Sequence, residues 1–284
     1  MPAVRVVVVQ LAASDPPGRL ADWLSDAGLD LDVRRAWVPD ELPAELSDAA
    51  ALVVLGGPMG ATDDQEHPYL SQCRQLLREA VQREIPTLAI CLGAQLLAVA
   101  HGGRVERNPD GPELGALLVA KRAAASSDPL FGPLPITPDV VQWHFDAVTT
   151  LPLGAVQLAS SPGCDVQAFR LGRLAWGIQF HIETTPEIVR AWASADAGLL
   201  SDYDLTAIVE RAAAVHDQLE ETWQPLVAAF AAVVRDPGAV APPRGVPVSS
   251  AAPITDPAAI RAALAAEVAA SRAPLPMPQR RPEG

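Results

Sequence analysis

Cys91 stands between an apolar strand-like run, Pro86-Thr87-Leu88-Ala89-Ile90, and a helix-like run that begins at Gly93. A thiol on such a turn has a helix N-terminus and free backbone N–H groups close to its sulfur, and both favour the nucleophilic thiolate. The alternative is a small buried hydrophobe, because isolated cysteines are among the most buried side chains. The G-x-S-x-G spacing of a nucleophile elbow is absent, Ala89 replacing its first glycine, although Gly93 still permits a close turn. A cysteine nucleophile also needs a base and a group that orients the base. Of the five histidines, His181 ends the strand-like run Trp176-Gly177-Ile178-Gln179-Phe180, and Glu183 follows two residues later. In extended backbone, side chains at i and i+2 share a side, so a carboxylate at 183 can hold the imidazole in one tautomer. A solvated strand end is the competing reading. The glycine-rich stretch Gly56-Gly57-Pro58-Met59-Gly60 follows another strand-like run and suits exposed N–H donors for an oxyanion, though plain turns look alike. All three features fall at expected strand ends, where open α/β sheets place their sites.

The elements that must position these residues alternate. Val4 to Val9 reads as a strand buried on both faces. Leu20, Trp23, Leu24 and Ala27 recur at helical spacing, and Gly28 marks the helix end. Leu31 to Val38 returns as a second strand and Ala51 to Leu55 as a third. Between Tyr69 and Val81 a helical stripe carries Leu70, Cys73, Leu76, Leu77 and Ala80. The fold class expected is an open, mostly parallel, twisted α/β sheet with right-handed crossovers and helices on both faces, flavodoxin-like. Short alternating segments at 113–120, 155–160, 166–171 and 174–181 suit further strands, some antiparallel. Thr185-Pro186-Glu187 is a helix-start signal, and helices are expected at 187–199 and 205–234. Residues 1–234 are read as one domain with C-terminal helices. Residues 235–284 are read as a Pro/Ala-rich, largely flexible tail, since 10 of the chain's 28 prolines fall at 236–284.

The totals exclude several classes. The 284 residues are 49% hydrophobic, enough for a sizeable core. A net charge of −13 lacks the cationic footprint of a nucleic-acid binder. The Val4–Val9 run is too short for a membrane span and no signal-like cleavage site follows, so a cytoplasmic protein with no membrane partner is expected. Three cysteines, at 73, 91 and 164, give neither a disulfide framework nor a C-x-x-C metal site. Cys73 on its helical stripe and Cys164 after Pro162-Gly163 read as structural, and His101 before Gly102 reads as a helix-end cap. No metal or cofactor is expected.

In series, "LVVLGGPMG" (52–60), "PTLAICLGAQLLA" (86–98), "VVQWHFDAVTTLP" (140–152) and "WGIQFHIETT" (176–185) make the chain, over roughly residues 1–195, resemble the class I, triad-type glutamine amidotransferase domains. The resemblance implies Cys91 as nucleophile on the glutamine side-chain amide, His181 as base and then acid, and Glu183 as its orienting partner. It implies an oxyanion hole from the Gly57 and Leu92 N–H groups. Gln95, Met59, Trp143, Phe145 and Asp146 would contact the glutamine, whereas His144 is not implied as catalytic. In place of the family's usual F-H-P-E this chain has Ile182, which also favours extended backbone. The given sequence holds no P-loop and no S-G-G-x-D-S segment, so the expectation is that a separate chain consumes the ammonia.

Three functions fit these residues. One is a glutaminase that releases glutamate and passes ammonia to a separate synthetase subunit. Another is a stand-alone hydrolase of γ-glutamyl peptides or amides. The third, a non-enzymatic regulatory binding protein, is opposed by the presence of all three candidate triad residues.

Overall fold

The structure, a computed structural model, describes residues 4–241. Valines on alternate sides of one strand set its architecture: Val6 and Val8 of β1 (Arg5–Gln10) enter one core, Val7 and Val9 the other. A strand buried on both faces belongs inside a sheet covered by helices on both sides. The strands β2 (Asp30–Arg35), β3 (Ala51–Val54) and β4 (Thr87–Ile90) join it, with α1 (Gly18–Asp26), α2 (Tyr69–Gln82) and α3 (Leu92–Ala100) as connections. After β5 (Arg104–Arg107), β6 (Glu113–Leu118), β7 (Ala120–Lys121), β8 (Asp139–His144) and β9 (Asp146–Thr150), the chain returns as β10 (Ala155–Ser160), β11 (Ala168–Leu171) and β12 (Ala175–Ile178). The eight-stranded sheet has the order β2-β1-β3-β4-β12-β11-β10-β7. It is parallel from β2 to β12 and antiparallel beyond. The expected fold is therefore present.

Helices α4 (Pro186–Ala195) and α5 (Leu205–Arg235) follow, and Trp192, Trp223 and Phe230 from them pack with α1 on one face of the sheet. The other face is covered by α2 and α3. Thr185 caps α4 through its side chain and Pro186 follows, as expected. The helix stops at Ala195 rather than 199: the Asp196 N–H donates to Trp192 O, and the Asp196 carbonyl then accepts from both the Leu199 and Leu200 N–H groups as the chain turns. Beyond α5, Arg173 donates to the Pro237 and Val240 carbonyls and Arg170 donates to Ala241 O at 2.8 Å. The expectation of a flexible tail concerns, for 242–284, residues outside those described. Among the described residues no helix is long and apolar enough to cross a membrane.

The sequence pattern falls short at β5, β8 and β9, whose residues show no alternation strong enough to mark a strand. They pair locally, β5 with β9 and β6 with β8, outside the main sheet.

Candidate active site

The carboxyl ends of β1, β3, β4 and β12 surround one cavity of about 280 Å³. It lies beside the point where the strand order reverses, between β1 and β3. Cys91 caps the N-terminus of α3 with φ 50° and ψ −109°. A non-glycine residue holds such a conformation only where its surroundings force it, and such strain clusters at functional sites. Here the forcing bonds run both ways: the Cys91 N–H donates to Ile178 O at 2.8 Å and its carbonyl accepts from the Gln95 N–H at 3.0 Å. Gly93 completes the turn. Its N–H donates to Leu55 O at 3.1 Å, and a Cβ there would lie 2.2 Å from Val54 O.

His181 arrives from the end of β12. Its N–H donates to Val141 O at 2.8 Å, tying it to β8. Its Nδ1–H donates to Glu183 Oε1 at 2.6 Å, and the ring borders the same cavity as the Cys91 side chain. Burial disfavours the charged imidazole, but the Glu183 carboxylate and Cys91 together hold His181 well above the ordinary histidine range. The Trp192 ring lies 4.6 Å from the imidazole, centroid to centroid, and fixes its other face.

Glu183 is anchored at both ends. Oε2 accepts from the Ile182 N–H at 2.9 Å, and the Glu183 carbonyl accepts from the Arg19 N–H at 2.9 Å. Proline at 182, the usual residue in the pattern, has no N–H to give this bond. The departure from the pattern thus adds a donor to the orienting carboxylate.

Gly57, Met59, Cys91, Gln95, Trp143, Phe145, Asp146 and His181 all line the cavity. Glu183 sits behind His181, and Leu92 packs its side chain against Gly57. Neither the Gly57 nor the Leu92 N–H has an intramolecular acceptor among the described residues, so both are free to bind an oxyanion. Gln95 Nε2 donates to Asp146 O at 3.0 Å and to Gln179 Oε1 at 3.2 Å, and Gln179 Nε2 points to Cys91 Sγ at 3.6 Å. The Trp143 Nε1–H donates to Asp196 Oδ2 at 2.8 Å, and its ring lies beside Trp192.

Several of the lining groups carry no functional signal in the sequence. Arg107 stacks over Phe145 at 4.6 Å and stands 3.8 Å from Asp146. His144, not expected to be catalytic, has a buried framework role: Nε2 meets Glu113 Oε2 and Nδ1 meets Asp146 O, each at 3.0 Å. Glu113 also accepts from Ser161 Oγ and Gln167 Nε2, both at 2.6 Å. Asp15, Trp192 and Asp196 close the remaining wall. The only available signal for Asp15 was its place in the loop after a strand.

The other cysteines behave as expected. Burial pushes the Cys73 and Cys164 thiols each up to about 12, which keeps them protonated and unreactive. The His101 ring caps α3 through Leu97 O at 2.9 Å.

A strained cysteine, a buried His–Glu pair and two free N–H donors are the parts needed for acyl transfer from an amide. The family model for glutamine amidotransferase class-I matches residues 19–190. The glutamine amidotransferase-like protein YfeJ of Salmonella typhimurium is 32% identical over 189 residues, covering 66% of this chain and 78% of that protein. One subunit of the glutamine-hydrolysing GMP synthase of Natronomonas pharaonis is 33% identical over 182 residues, 63% of this chain and 88% of that protein. Among solved structures, a glutamine amidotransferase from Thermotoga maritima superposes with a TM-score of 0.73 at 29% identity, over 81% of this chain and 99% of that one.

Proposed function

Because the chain belongs to the class I glutamine amidotransferase family, we propose that Cys91 attacks the γ-carboxamide of L-glutamine and carries the γ-glutamyl group as a thioester. The sulfur–carbon bond forms as the amide π-electrons move to the oxygen, which the Gly57 and Leu92 N–H groups stabilise. His181 then gives its proton to the departing nitrogen, the carbon–nitrogen bond breaks, and ammonia leaves. Water next attacks the thioester while His181 takes a proton. The Cys91 thiolate is expelled and glutamate is released.

Glu183 keeps the imidazole in the tautomer whose Nε2 faces the sulfur and stabilises the imidazolium formed in each step. Gln95 and the Asp146 carbonyl, held together, shape the end that receives the α-amino and α-carboxylate groups. The observation that carries this reading is the 2.6 Å His181–Glu183 pair beside a cysteine held at positive φ.

The ammonia is used by a separate acceptor chain. Support comes from the relatives named as one subunit of a glutamine-hydrolysing GMP synthase, of which this chain covers 88% in Natronomonas pharaonis and 84% in Methanosarcina acetivorans. The test is glutamate release from L-glutamine by the purified chain, alone and with its candidate synthetase, with Cys91→Ser as control. Cys91-dependent glutamate is the expected result. No glutamate and no aminated product under either condition overturns the reading.

A further inference from the structure

The cavity does not end at the scissile bond. With the acyl carbon at Cys91 and its oxygen toward Gly57 and Leu92, the leaving nitrogen faces His181. Past the imidazole the cavity is walled by Asp15, Trp192 and Asp196, with Leu199 at its rim. Gly56 is the hub of this arrangement: a Cβ there would lie 3.1 Å from Cε1 of His181, 3.2 Å from Oδ1 of Asp15 and 3.5 Å from Cβ of Cys91.

The two ends of the cavity differ in charge. Beside Gln95, Arg107 and Asp146 stand 3.8 Å apart and offer one charge of each sign, which matches the zwitterionic head of a glutamyl group. At the other end, Asp15 and Asp196 have no ion-pair partner among the described residues. Asp196 Oδ2 accepts from the Trp143 indole at 2.8 Å. Asp15 is only 7% exposed; its Oδ2 accepts from Ser14 Oγ at 2.5 Å, and its Oδ1 has no donor among the described residues. The Asp15 carboxylate lines the cavity and is open to a donor or cation that enters it. Ammonia, small and neutral on departure, neither fills this end nor compensates its charge.

We propose that the site also hydrolyses γ-glutamyl amides of amines bearing a second, cationic amino group, whose ammonium lodges between Asp15 and Asp196 against the Trp192 indole. An ammonium is attracted to carboxylates and to indole faces alike. Burial raises the Asp15 carboxyl above the ordinary aspartate range, a penalty that a facing cation relieves. The exposed Leu199 side chain at the rim suits the methylene spacer.

The proposal rests on the thioester chemistry above and changes only the leaving group. The amide carbon–nitrogen bond breaks, His181 protonates the amine, and water hydrolyses the thioester, so amide plus water gives glutamate plus a diamine.

Three substrates test it: L-glutamine, γ-glutamyl-1,4-diaminobutane, and γ-glutamyl-n-pentylamide, in which a methyl replaces the ammonium. The expected kcat/KM for the diamine amide exceeds that for the pentylamide by about tenfold or more. In Asp196→Asn, which keeps an acceptor for Trp143, the ratio falls to within about threefold of unity, and Asp15→Asn lowers it likewise. Turnover of glutamine with a wild-type ratio near one overturns this inference and leaves the proposed function standing. Absence of Cys91-dependent glutamate from all three overturns both.

Discussion

The Nδ1 of His181 lies 2.6 Å from Oε1 of Glu183, only two residues along the chain, with both side chains buried. Its members are neighbours in the chain, and the backbone bends at Ile182 and Glu183 between β12 and α4. What long-range packing adds is its placement against Cys91. Glu183→Gln preserves shape and removes the charge that stabilises the imidazolium. It is expected to lower kcat for glutamate release by about 10²–10⁴-fold with a much smaller change in KM. Steady-state kinetics on L-glutamine checks this, and an unchanged kcat would remove Glu183 from the mechanism.

The Ile182 N–H bond to Glu183 Oε2 yields a second expectation. Ile182→Pro abolishes a donor to a buried carboxylate, a bond worth about 1.5–3 kcal/mol. A lower kcat than in Ile182→Val, measured side by side, is the predicted outcome. Equal rates in the two variants would show that the extra donor does not matter to the chemistry.

Gly56 and Gly93 separate the site from the scaffold. A Cβ at Gly93 meets the Val54 carbonyl, which is backbone and cannot swing aside, so Gly93→Ala is expected to destabilise by about 3 kcal/mol. The three atoms nearest a Cβ at Gly56 belong to side chains, those of His181, Asp15 and Cys91. Gly56→Ala should therefore lose activity far more than thermal stability. Thermal melts and glutamate assays on both variants decide it, and a fully active Gly56→Ala contradicts the geometry.

Acid stability reports on the framework behind the site. Burial would raise the Glu113 carboxyl, but the donors His144, Ser161 and Gln167 outweigh it and hold the group below the ordinary range. Because the folded carboxyl binds its proton less readily than the unfolded one, its contribution is full above the unfolded value of about 4.3. It is lost as pH falls through the lower folded value. Denaturant midpoints from pH 6 to pH 3 should thus fall more steeply for the wild type than for Glu113→Gln. Parallel curves would contradict this.

Much of this architecture was legible because it is local. The valines of β1 announce a doubly covered strand, and Thr185-Pro186 announces the start of α4. Cys91, His181 and Glu183 stood out because each sits where a short apolar run ends. The leaving-group wall was not legible, because Trp192 Nε1 reaches Ser14 O across 178 positions and nothing near either residue forecasts the other. Glu113 and His144 were opaque for a similar reason: β6 and β8 pair outside the main sheet, and their buried polar faces carry no hydrophobic alternation. The Trp143 bond to Asp196 was likewise hidden, because 53 positions separate the two residues.

The proposed chemistry turns on Cys91 carrying the γ-glutamyl group. Acid quenching of the chain during incubation with L-glutamine, followed by peptide mass mapping, tests it directly. A γ-glutamyl adduct on the Cys91 peptide that hydroxylamine removes is expected, with no adduct and no glutamate from Cys91→Ala. Glutamate formation that survives Cys91→Ala would contradict it.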